Sequence, residues 1–361
     1  MKIGIDISQV VYGTGVSTYT SNLVKNLLAM DTGNEYFLFG GSLRRKNDIY
    51  DFLAELSGSN FKSKIVSVPP FLADIMWNRL HLVPIEIFTG KLDVFHSSDW
   101  TQPPAKAYKV TTIHDLVPIK FPEYSHPRIV SAHKAKMKWI KKEVNKVIVP
   151  SKATQDDVIG LGVDAKRTEI INEAPDPIFK PAKESEIESV KKKYKISNRY
   201  LLSVGLSTRK NTNKIIQSFL KIAKNRAYYN MDLVIAGYPY IDIKGADGDK
   251  ILNHVTQEDM PSLYSGAEVL VYPSLYEGFG LPILESFASG TPVVTSNIGS
   301  LKEVAGTAAV LVDPGSARSI ALGIKRALEG REDLVKKGVK RVKNFSWKIA
   351  AKKTLKVYAT S

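Results

Sequence analysis

The stretch AEVLVYPSLYEGFGLPILES, residues 267–286, decides the fold class. An apolar run ends at a proline, a loop with two glycines follows, and an apolar segment of helical period begins around Pro282. This succession predicts a buried parallel strand, a loop and a covering helix, which is the repeating unit of an α/β domain. Pro282 suits the first turn of the helix, because the N–H group that proline lacks would have no partner there.

The same unit recurs on both sides of this stretch, with segments of helical period between the strands. Further strands are predicted at KIGIDIS (2–8), EYFLFG (35–40), KIVSVP (64–69), DVFHSS (93–98), KVTTIHD (109–115), KVIVPS (146–151), RYLLSVG (199–205), DLVIAGY (232–238), TPVVTSN (291–297) and AAVLVD (308–313). A segment rich in proline and acid, INEAPDPIFKPAK, interrupts the pattern, so we place a domain boundary near residue 177. The sequence thus predicts two doubly wound α/β domains, residues 1–176 and 177–345, and an amphipathic helix at 346–361.

The composition of the 361 residues excludes several classes of protein. There is no cysteine, so disulfides and thiolate metal sites are excluded and a reducing cytoplasm is expected. No apolar run reaches the roughly 18 residues of a membrane span, and MKIGIDISQV lacks the apolar core of a signal peptide. The net charge of +15 indicates attraction to nucleic acid, an anionic membrane surface or a phosphorylated small molecule.

Two segments bear on membrane contact. RIVSAHKAKMKWIKKEVNK (128–146) carries seven Lys/Arg against one acid, with apolar residues near helical spacing. It is either a membrane-surface helix or the solvated face of an ordinary packed helix. FLADIMWNRLHLVPIEIF (71–88) is either a surface that meets a lipid-linked acceptor or a core helix. We therefore expect a cytoplasmic protein, with peripheral contact to an anionic membrane at its inner face as the second possibility.

The glycine loop and the helix after it form a candidate anion site. Backbone amides around Gly280 combine with the positive end of the helix dipole, and Gly278 lets a ligand touch the backbone. Glu277 in the loop and Glu285 in the first helical turn are good acceptors for hydroxyl groups but poor ligands for phosphate. A nucleotide-sugar, with a diphosphate between two polyols, fits this combination. The alternative is a helix whose first-turn acid merely complements the dipole.

Two cations follow the first strand of the second domain. SVGLSTRKNTNKII (203–216) places Arg209 and Lys210 between a strand and a helix. Two cations at such a strand end can neutralise a diphosphate and stabilise the charge that builds on a departing nucleotide. A solvated basic loop is the alternative.

Polar and glycine residues also follow strands in the first domain. TTIHDLVP places His114 and Asp115 at a strand end, where the histidine can bond a sugar hydroxyl and the aspartate can orient its ring or cap the next segment. A buried structural histidine is the alternative. GTGV (13–16) opens the first helix but lacks the full dinucleotide fingerprint, which disfavours NAD. It is either a loop that lets an acceptor or a phosphate approach the backbone, or a plain tight turn.

The run YPSLYEGFGLPILESFASGTPVVTSNIGSLKEVAG (272–306) closely resembles the signature of the family 4 retaining glycosyltransferases, with its two glutamates separated by seven residues. The likeness continues through GTGVSTYT, TIHDLVP, VIVPSKATQDDVIGLGV, TRKN and LVIAG, and spans nearly the whole chain. One departure is that Leu206 follows Gly205 where many members have an arginine. The donor phosphate charge then rests on Arg209 and Lys210, as in relatives with an RKN run that often transfer mannose.

This resemblance implies the α/β GT-B architecture: two facing Rossmann-like doubly wound domains with a cleft between them. The donor would bind mainly to the second domain and the acceptor to the first, and the final helix would pack back on the first. Neither a metal nor a cofactor is implied, since the nucleotide-sugar is a substrate. By position, the resemblance implies that Arg209 and Lys210 bind the donor diphosphate, with Ser207 beside them. Glu285 would bind the ribose and Glu277 the transferred sugar, while the sugar and phosphate would also contact Gly278, Phe279, Gly280 and Leu281. In the first domain, His114 would lie near the reacting centre with Asp115 next to it, and the phosphates or acceptor would be covered by Gly13, Thr14 and Gly15.

The predicted function is transfer of mannose or a related hexose from a GDP- or UDP-sugar to a saccharide or lipid-linked acceptor, with retention, in glycan or polysaccharide biosynthesis. One alternative is a nucleotide-sugar epimerase or phosphorylase of the same architecture. The other is a nucleic-acid-binding protein, which the charge of +15 motivates. It is disfavoured because the aromatic residues do not cluster with the basic runs and no helix-turn-helix or zinc pattern is present. We therefore expect no nucleic acid among the partners.

Overall fold

The computed structural model describes residues 1–225, 230–239 and 249–361. Contacts divide the chain into two compact units. The first contains Met1–Glu173 together with Ser346–Ser361, and the second contains Ala174–Phe345. The sequence placed the boundary near residue 177, and the contacts place it between Glu173 and Ala174.

The first unit is built on a parallel sheet of seven strands in the described part of the chain, in the order β3-β2-β1-β4-β5-β6-β7. Its strands are β1 Lys2–Asp6, β2 Glu35–Gly41, β3 Phe61–Val66, β4 Val94–Ser97, β5 Tyr108–Thr112, β6 Lys146–Val149 and β7 Thr168–Ile170. Its helices are α1 Gly15–Met30, α2 Lys46–Ala54, α3 Pro70–Ala73, α4 Glu86–Thr89, α5 Val117–Lys120, α6 Pro127–Glu143 and α7 Lys152–Gly160, with a π-helix at Asp74–Arg79 and 3₁₀ turns at Pro122–Tyr124 and Ala165–Arg167. The reversal of strand order at β1 is that of a doubly wound sheet.

The second unit has a parallel sheet of six strands among its described residues, in the order β10-β9-β8-β11-β12-β13. Its strands are β8 Arg199–Leu206, β9 Met231–Pro239, β10 Asp249–Leu252, β11 Val269–Tyr272, β12 Val293–Ser296 and β13 Val310–Val312. Its helices are α8 Glu184–Lys193, α9 Thr212–Ala223, α10 Met260–Ser265, α11 Leu281–Ala288, α12 Gly299–Ala305, α13 Ala317–Glu329 and α14 Arg331–Val342. Here the strand order reverses at β8, so the loops after β8 and β11 leave the same edge of the sheet in opposite directions.

Strand β11 shows why the quoted stretch folds as predicted. All four of its residues, VLVY, are buried. Val269 and Val271 belong to the core on one face of the sheet, while Leu270 and Tyr272 belong to the core on the other face. A strand of a parallel sheet buries both faces, which requires a continuous apolar run rather than an alternating one.

The C-terminal helix α15, Trp347–Tyr358, packs within the first unit. The buried ring of Trp347 meets Tyr19 edge-on, with ring centroids 5.8 Å apart. At the other end of the helix, the Tyr358 hydroxyl lies 2.7 Å from His96 Nδ1. The apolar face of this segment is therefore buried against helix α1 and strand β4.

Candidate functional site

The loop after β11 is held in one conformation by its backbone and by side chains of the next strand–helix unit. Gly280 has φ +112°, and a Cβ atom there would lie 2.8 Å from Leu301 Cδ2, so a larger residue does not fit. Ser300 Oγ donates to the carbonyl of Glu277 at 2.6 Å, and Ser296 Oγ donates to that of Ser274 at 2.6 Å. These contacts fix where the Glu277 side chain begins.

Helix α11 starts at Leu281, directly after Gly280. Pro282 is therefore its second residue, where a missing N–H group still costs nothing. Glu285 is the fifth residue and lies in the second turn. The prediction of a first-turn acid is wrong, because the turn at Gly280 lets the helix begin one residue before the proline.

Glu277 lies between the two predicted cations. Arg209 Nη1 is 2.6 Å from Glu277 Oε2, and Lys210 Nζ is 2.7 Å from Glu277 Oε1. The hydroxyl of Tyr272, at the end of β11, donates to Glu277 Oε1 at 3.0 Å and accepts from Lys210. Arg209 also donates to the carbonyl of Tyr276 at 2.9 Å. The structure thus brings together residues that the sequence separates by nearly seventy positions, in one hydrogen-bonded cluster.

The loop after β8 positions both cations through its backbone. Gly205 has φ +83°, and a Cβ atom there would come within 3.0 Å of the Lys210 side chain. Asn211 adopts the left-handed conformation at φ +63°, and its amide donates to the carbonyls of Pro273 and Pro314 at 3.0 and 2.7 Å. The β8 loop is thereby tied to two other strand-end loops.

Ser207 also serves this loop. Its hydroxyl accepts from the backbone amide of Lys210 at 3.2 Å, and its carbonyl accepts from the hydroxyl of Thr212 at 3.1 Å. Ser207 therefore shapes the turn that carries Arg209 and Lys210. Its contact with a donor stays a prediction.

The cluster keeps Glu277 ionised. Burial raises the pKa of this carboxyl, but Lys210 and Arg209 act against burial and hold the pKa at about 2. Two cations share this one carboxylate, and the three side chains are 11 to 20% exposed. A pair of cations at one carboxylate attracts a further anion.

Glu285 has the opposite environment. Burial raises the pKa of its carboxyl to about 7, although the Tyr264 hydroxyl, which donates to Oε2 at 2.7 Å, and the charge of Lys210 both lower it. The charge of Asp176 raises the pKa of Glu285 further. Glu285 is thus a carboxylate whose charge changes near neutral pH, within the electrostatic reach of Lys210.

Between the two glutamates, backbone groups rather than side chains are available to bind a ligand. Phe279 is 4% exposed, and its ring meets Phe345 edge-on at 5.9 Å in the core of the second unit. Only its amide and carbonyl, with those of Gly278, Gly280 and Leu281, are suited to a ligand. Their donor contacts stay predictions.

In the first unit, His114 is buried beside a carboxylate that the sequence did not single out. His114 Nδ1 lies 2.7 Å from Glu173 Oε1, and Tyr19 stands edge-on to its ring at 4.5 Å. Burial lowers the pKa of His114, but the hydrogen bond to Glu173 and the charges of Glu173, Asp99 and Asp115 together outweigh burial, so the pKa is raised overall. His114 Nε2 is buried without a hydrogen-bond partner among the described residues. His114 also lines, with Asp6, a cavity of about 20 Å³, enough for about one water.

The remaining predicted site residues of the first unit are Asp115 and the glycine turn at residues 13–15. Asp115 Oδ1 accepts from the amide of Val117, the first residue of α5, at 2.8 Å, while Leu116 is the N-cap of that helix. Thr14 is the N-cap of α1, with its amide donating to Ser17 Oγ at 3.3 Å, while Gly13 has φ +63° and open space around it, and Gly15 is the first residue of the helix. The structure therefore places a glycine turn at the start of α1. Its contact with a ligand stays a prediction.

Two expectations concern what the chain lacks. Within the described ranges, no group of three or more His, Cys, Asp or Glu side chains is arranged to hold a metal ion. None of the helices in the same ranges is long and apolar enough to span a bilayer. Whether the protein needs a metal is tested by its activity with EDTA and with Mg²⁺.

Sequence reasoning missed four residues of these sites: Tyr264, Tyr272, Asn211 and Glu173. Tyr272 ends an apolar run and Tyr264 follows a leucine in a short segment of helix, so both look like core residues. Asn211 had a usable signal, because asparagine after a basic pair and before a helix favours the left-handed conformation. Glu173 follows strand β7, and acids at strand ends are candidates for the same edge as His114.

Two family models match the chain and together span most of it. "Glycosyltransferase Family 4" matches residues 13–177, and "Glycosyl transferases group 1" matches residues 184–344. O-antigen chain mannosyltransferase B of Escherichia coli is 30% identical over 294 residues, which cover 73% of this chain and 74% of the relative. O-antigen chain mannosyltransferase RfbU of Salmonella typhimurium is 30% identical over 223 residues, 59% of each chain. The crystal structure of Anabaena HepE in complex with UDP-glucose superposes with a TM-score of 0.71 at 16% identity and covers all of both chains.

Proposed function

Because the chain belongs to the family 4 glycosyltransferases, we propose that it transfers a mannosyl residue from a nucleotide diphosphate donor to a saccharide or lipid-linked acceptor, with retention of configuration. Its two parallel-sheet α/β units are those of the GT-B fold. Mannose is proposed because relatives that are 30% identical are O-antigen mannosyltransferases. HepE, which shares the fold, was crystallised with UDP-glucose. The donor nucleotide is therefore proposed to be GDP or UDP.

The observation that carries the proposal is the cluster of Arg209, Lys210 and Glu277 at the carboxyl edge of the second sheet. A donor diphosphate would bind the two cations and the amides before α11. As the bond to the sugar breaks, negative charge grows on the leaving phosphate, and cations that are already in place stabilise it without reorganisation. Glu277 holds those cations in position.

The two glutamates would bind the hydroxyl groups on either side of the diphosphate. Glu285, ionised above a pKa of about 7, would accept from the ribose hydroxyls. Glu277 would accept from a hydroxyl of the transferred sugar. Each carboxylate has two oxygens and several lone pairs, so Glu277 can keep its contacts to Arg209 and Lys210 while it does so.

Retention is proposed through substitution on one face of the sugar. A carboxylate with a pKa of about 2 that already accepts from Lys210, Arg209 and Tyr272 is a weak nucleophile, so Glu277 is poorly suited to form a covalent intermediate. The leaving phosphate would instead take the proton of the acceptor hydroxyl. In the first unit, His114 Nε2 is the atom that would donate to a sugar hydroxyl.

The test is a donor panel with the purified full chain. GDP-mannose, GDP, UDP-glucose and UDP are each added with EDTA or with Mg²⁺, and the melting temperature is recorded. Transfer to a mannose-terminated oligosaccharide is then followed by release of the nucleoside diphosphate, and the new linkage is read by NMR. We expect one donor to stabilise the protein with EDTA present, and an α-linked product from an α-linked donor.

Several results would contradict the proposal. If neither nucleotide nor nucleotide-sugar stabilises the chain, the donor site is wrong. A β-linked product would overturn retention, and activity only with Mg²⁺ would overturn metal independence. Release of a free altered sugar, or turnover that consumes phosphate without an acceptor, would favour the epimerase or phosphorylase alternative.

A further inference from the structure

The loop at residues 80–83 in the first unit, here the leucine loop, has an unusual backbone. His81 has φ +53° and Val83 has φ +62°, in the left-handed region that β-branched residues rarely occupy. The loop follows a π-helix, Asp74–Arg79, another irregular feature. Such a conformation is strained and persists only where neighbouring contacts hold it.

Those contacts come from the inner side of the loop. The indole N–H of Trp77, which is buried, donates to the carbonyl of Val83 at 3.0 Å, and His81 Nδ1 lies 3.0 Å from the carbonyl of Trp77. The flanking side chains turn outward: Leu80 is 59% exposed and Leu82 is 57% exposed. The strained backbone therefore holds two leucine side chains in solvent. In the isolated protein these side chains remain largely exposed, so the strain brings little apolar burial in return.

His81 also fastens the leucine loop to helix α6. Its ring stacks on Trp139, with centroids 3.6 Å apart and planes 7° from parallel. Its Nε2 lies 2.9 Å from Glu143 Oε1. The ammonium groups of Lys138 and Lys142 sit 5.1 and 5.2 Å from the centroid of that same Trp139 ring. The leucine loop is thus joined to α6 at Trp139, the residue over which the two lysines lie.

The charge of α6 reinforces this arrangement. The helix carries six Lys/Arg residues and one acid, Glu143. Of the six, only Lys136 is buried, and Glu143 is already engaged by Lys109 at 2.8 Å. The outer face of the helix is therefore strongly positive, and the contacts of His81 with Trp139 and Glu143 join it to the leucine loop.

We propose that the leucine loop and the exposed lysines of α6 form a docking surface for an anionic phospholipid bilayer. The two leucines would enter the interfacial region, and the lysine ammonium groups would pair with lipid phosphates. Charge favours lipid over a protein partner, because lysines are depleted from protein interfaces and enriched where the partner is an anionic surface. The surface lies in the first unit and does not involve the donor cluster.

The test is flotation of the purified full chain with vesicles. Vesicles of phosphatidylcholine alone are compared with vesicles that contain one third phosphatidylglycerol. We expect binding to the anionic vesicles that weakens as salt is raised, and little binding to the neutral ones. The double variant Leu80→Ser/Leu82→Ser should bind about tenfold more weakly or worse, since two half-exposed leucines no longer enter the interface. Lys138→Gln/Lys142→Gln should lose about fivefold for each lysine.

Matched controls lie in the second unit. Leu220 and Leu322 are 39% and 50% exposed, and Lys336 and Lys340 are exposed on α14. Leu220→Ser/Leu322→Ser and Lys336→Gln/Lys340→Gln should leave vesicle binding unchanged, which shows that the effect is local rather than a matter of net charge. If the second-unit controls lose as much vesicle binding as the first-unit variants do, the proposed docking surface is wrong. It is also wrong if the wild type does not bind anionic vesicles.

Light scattering distinguishes a membrane-docking surface from a dimer interface. If the wild type is a dimer and Leu80→Ser/Leu82→Ser is a monomer, the leucine loop joins two copies of the chain and the membrane proposal is wrong. The melting temperature shift on adding GDP or UDP reports the donor site alone. A chain that binds vesicles but no nucleotide would retain this inference and lose the proposed function, and the converse result would do the reverse.

Discussion

Lys210 Nζ lies 2.7 Å from Glu277 Oε1, and this contact joins the loop after β8 to the loop after β11. The sheet order places β8 next to β11, so the two strand ends meet at the point where the order reverses. The carboxylate gathers Lys210 and Arg209 on one spot before any diphosphate arrives. A preorganised pair of cations is what transition-state stabilisation requires.

Glu277→Gln should destabilise the fold as well as the reaction. The amide keeps the shape but leaves Arg209 and Lys210 partly buried without a counter-charge, so the free energy of unfolding should fall by about 3 kcal/mol. Because the pKa of Glu277 is lowered to about 2, its stabilising effect is present above its ordinary pKa of 4.5 and is lost as the pH falls through about 2. Urea denaturation at pH 7 measures the change.

The matched control for that experiment is Glu188→Gln. Glu188 pairs with Lys191 at 2.8 Å in the same unit, but its side chain is 57% exposed. Its loss should cost less than about 1 kcal/mol. If the two variants are equally stable, Glu277 does not act as the counter-ion of a buried cluster.

Lys210→Ala should lower kcat about a hundredfold or more at saturating donor, because one cation at a developing phosphate charge is worth roughly 3–4 kcal/mol. Lys221→Ala, an exposed lysine on helix α9, is the control and should keep wild-type turnover. Circular dichroism and the melting temperature check that both variants fold. A loss of less than about threefold in a folded Lys210→Ala enzyme would remove this residue from the mechanism.

The strand pattern was predictable because parallel strands need continuous apolar runs. VLVY of β11 shows this, with both faces buried. Strand β10, DKIL, was missed, since four residues with two charges carry no such signal. Arg209, Lys210 and Glu277 could be expected near one another, because the carboxyl ends of parallel strands share an edge.

The hydroxyl groups that complete the site could not be predicted in the same way. Tyr272 and Tyr264 are buried, and the sequence does not say where a buried hydroxyl finds its acceptor. In the structure one reaches Glu277 and the other Glu285. The burial of Glu285, which decides its pKa, also follows from packing around α11 rather than from spacing.

Glu173→Gln should lower the pKa of His114. The hydrogen bond and charge of Glu173 are the largest influences that raise this pKa against burial, so their removal should lower it, while the charges of Asp99 and Asp115 still raise it. A raised histidine pKa stabilises the fold fully below pH 6.5, and the effect is lost as the pH rises through the folded pKa. The gap in melting temperature between wild type and variant should therefore be widest in mildly acidic buffer and close in alkaline buffer.

The control is Glu169→Gln, on the exposed side of strand β7. It should leave both the melting temperature and the His114 titration, followed by NMR, unchanged. A gap between Glu173→Gln and wild type that grows with pH would contradict a charged pair.

Glu285 should make nucleotide binding depend on pH near neutrality. With a pKa of about 7, the carboxyl is mostly protonated at pH 6 and mostly ionised at pH 8, and only the ionised form is a strong acceptor for ribose hydroxyls. Affinity for GDP or UDP, whichever binds, should rise about tenfold between those values by calorimetry. The effect on folding has the opposite sign: the raised pKa stabilises the fold fully below 4.5, and this contribution is lost as the pH rises through about 7.

Two variants separate this carboxyl from the titration of the diphosphate itself. Glu285→Gln should bind weakly with only the shallow pH dependence of the ligand, so the difference from wild type isolates Glu285. Tyr264→Phe removes the 2.7 Å hydrogen bond that lowers the pKa of Glu285, and the midpoint of the binding curve should move to higher pH. A midpoint that stays in place in Tyr264→Phe, or a full pH dependence that survives in Glu285→Gln, would show that another group controls binding.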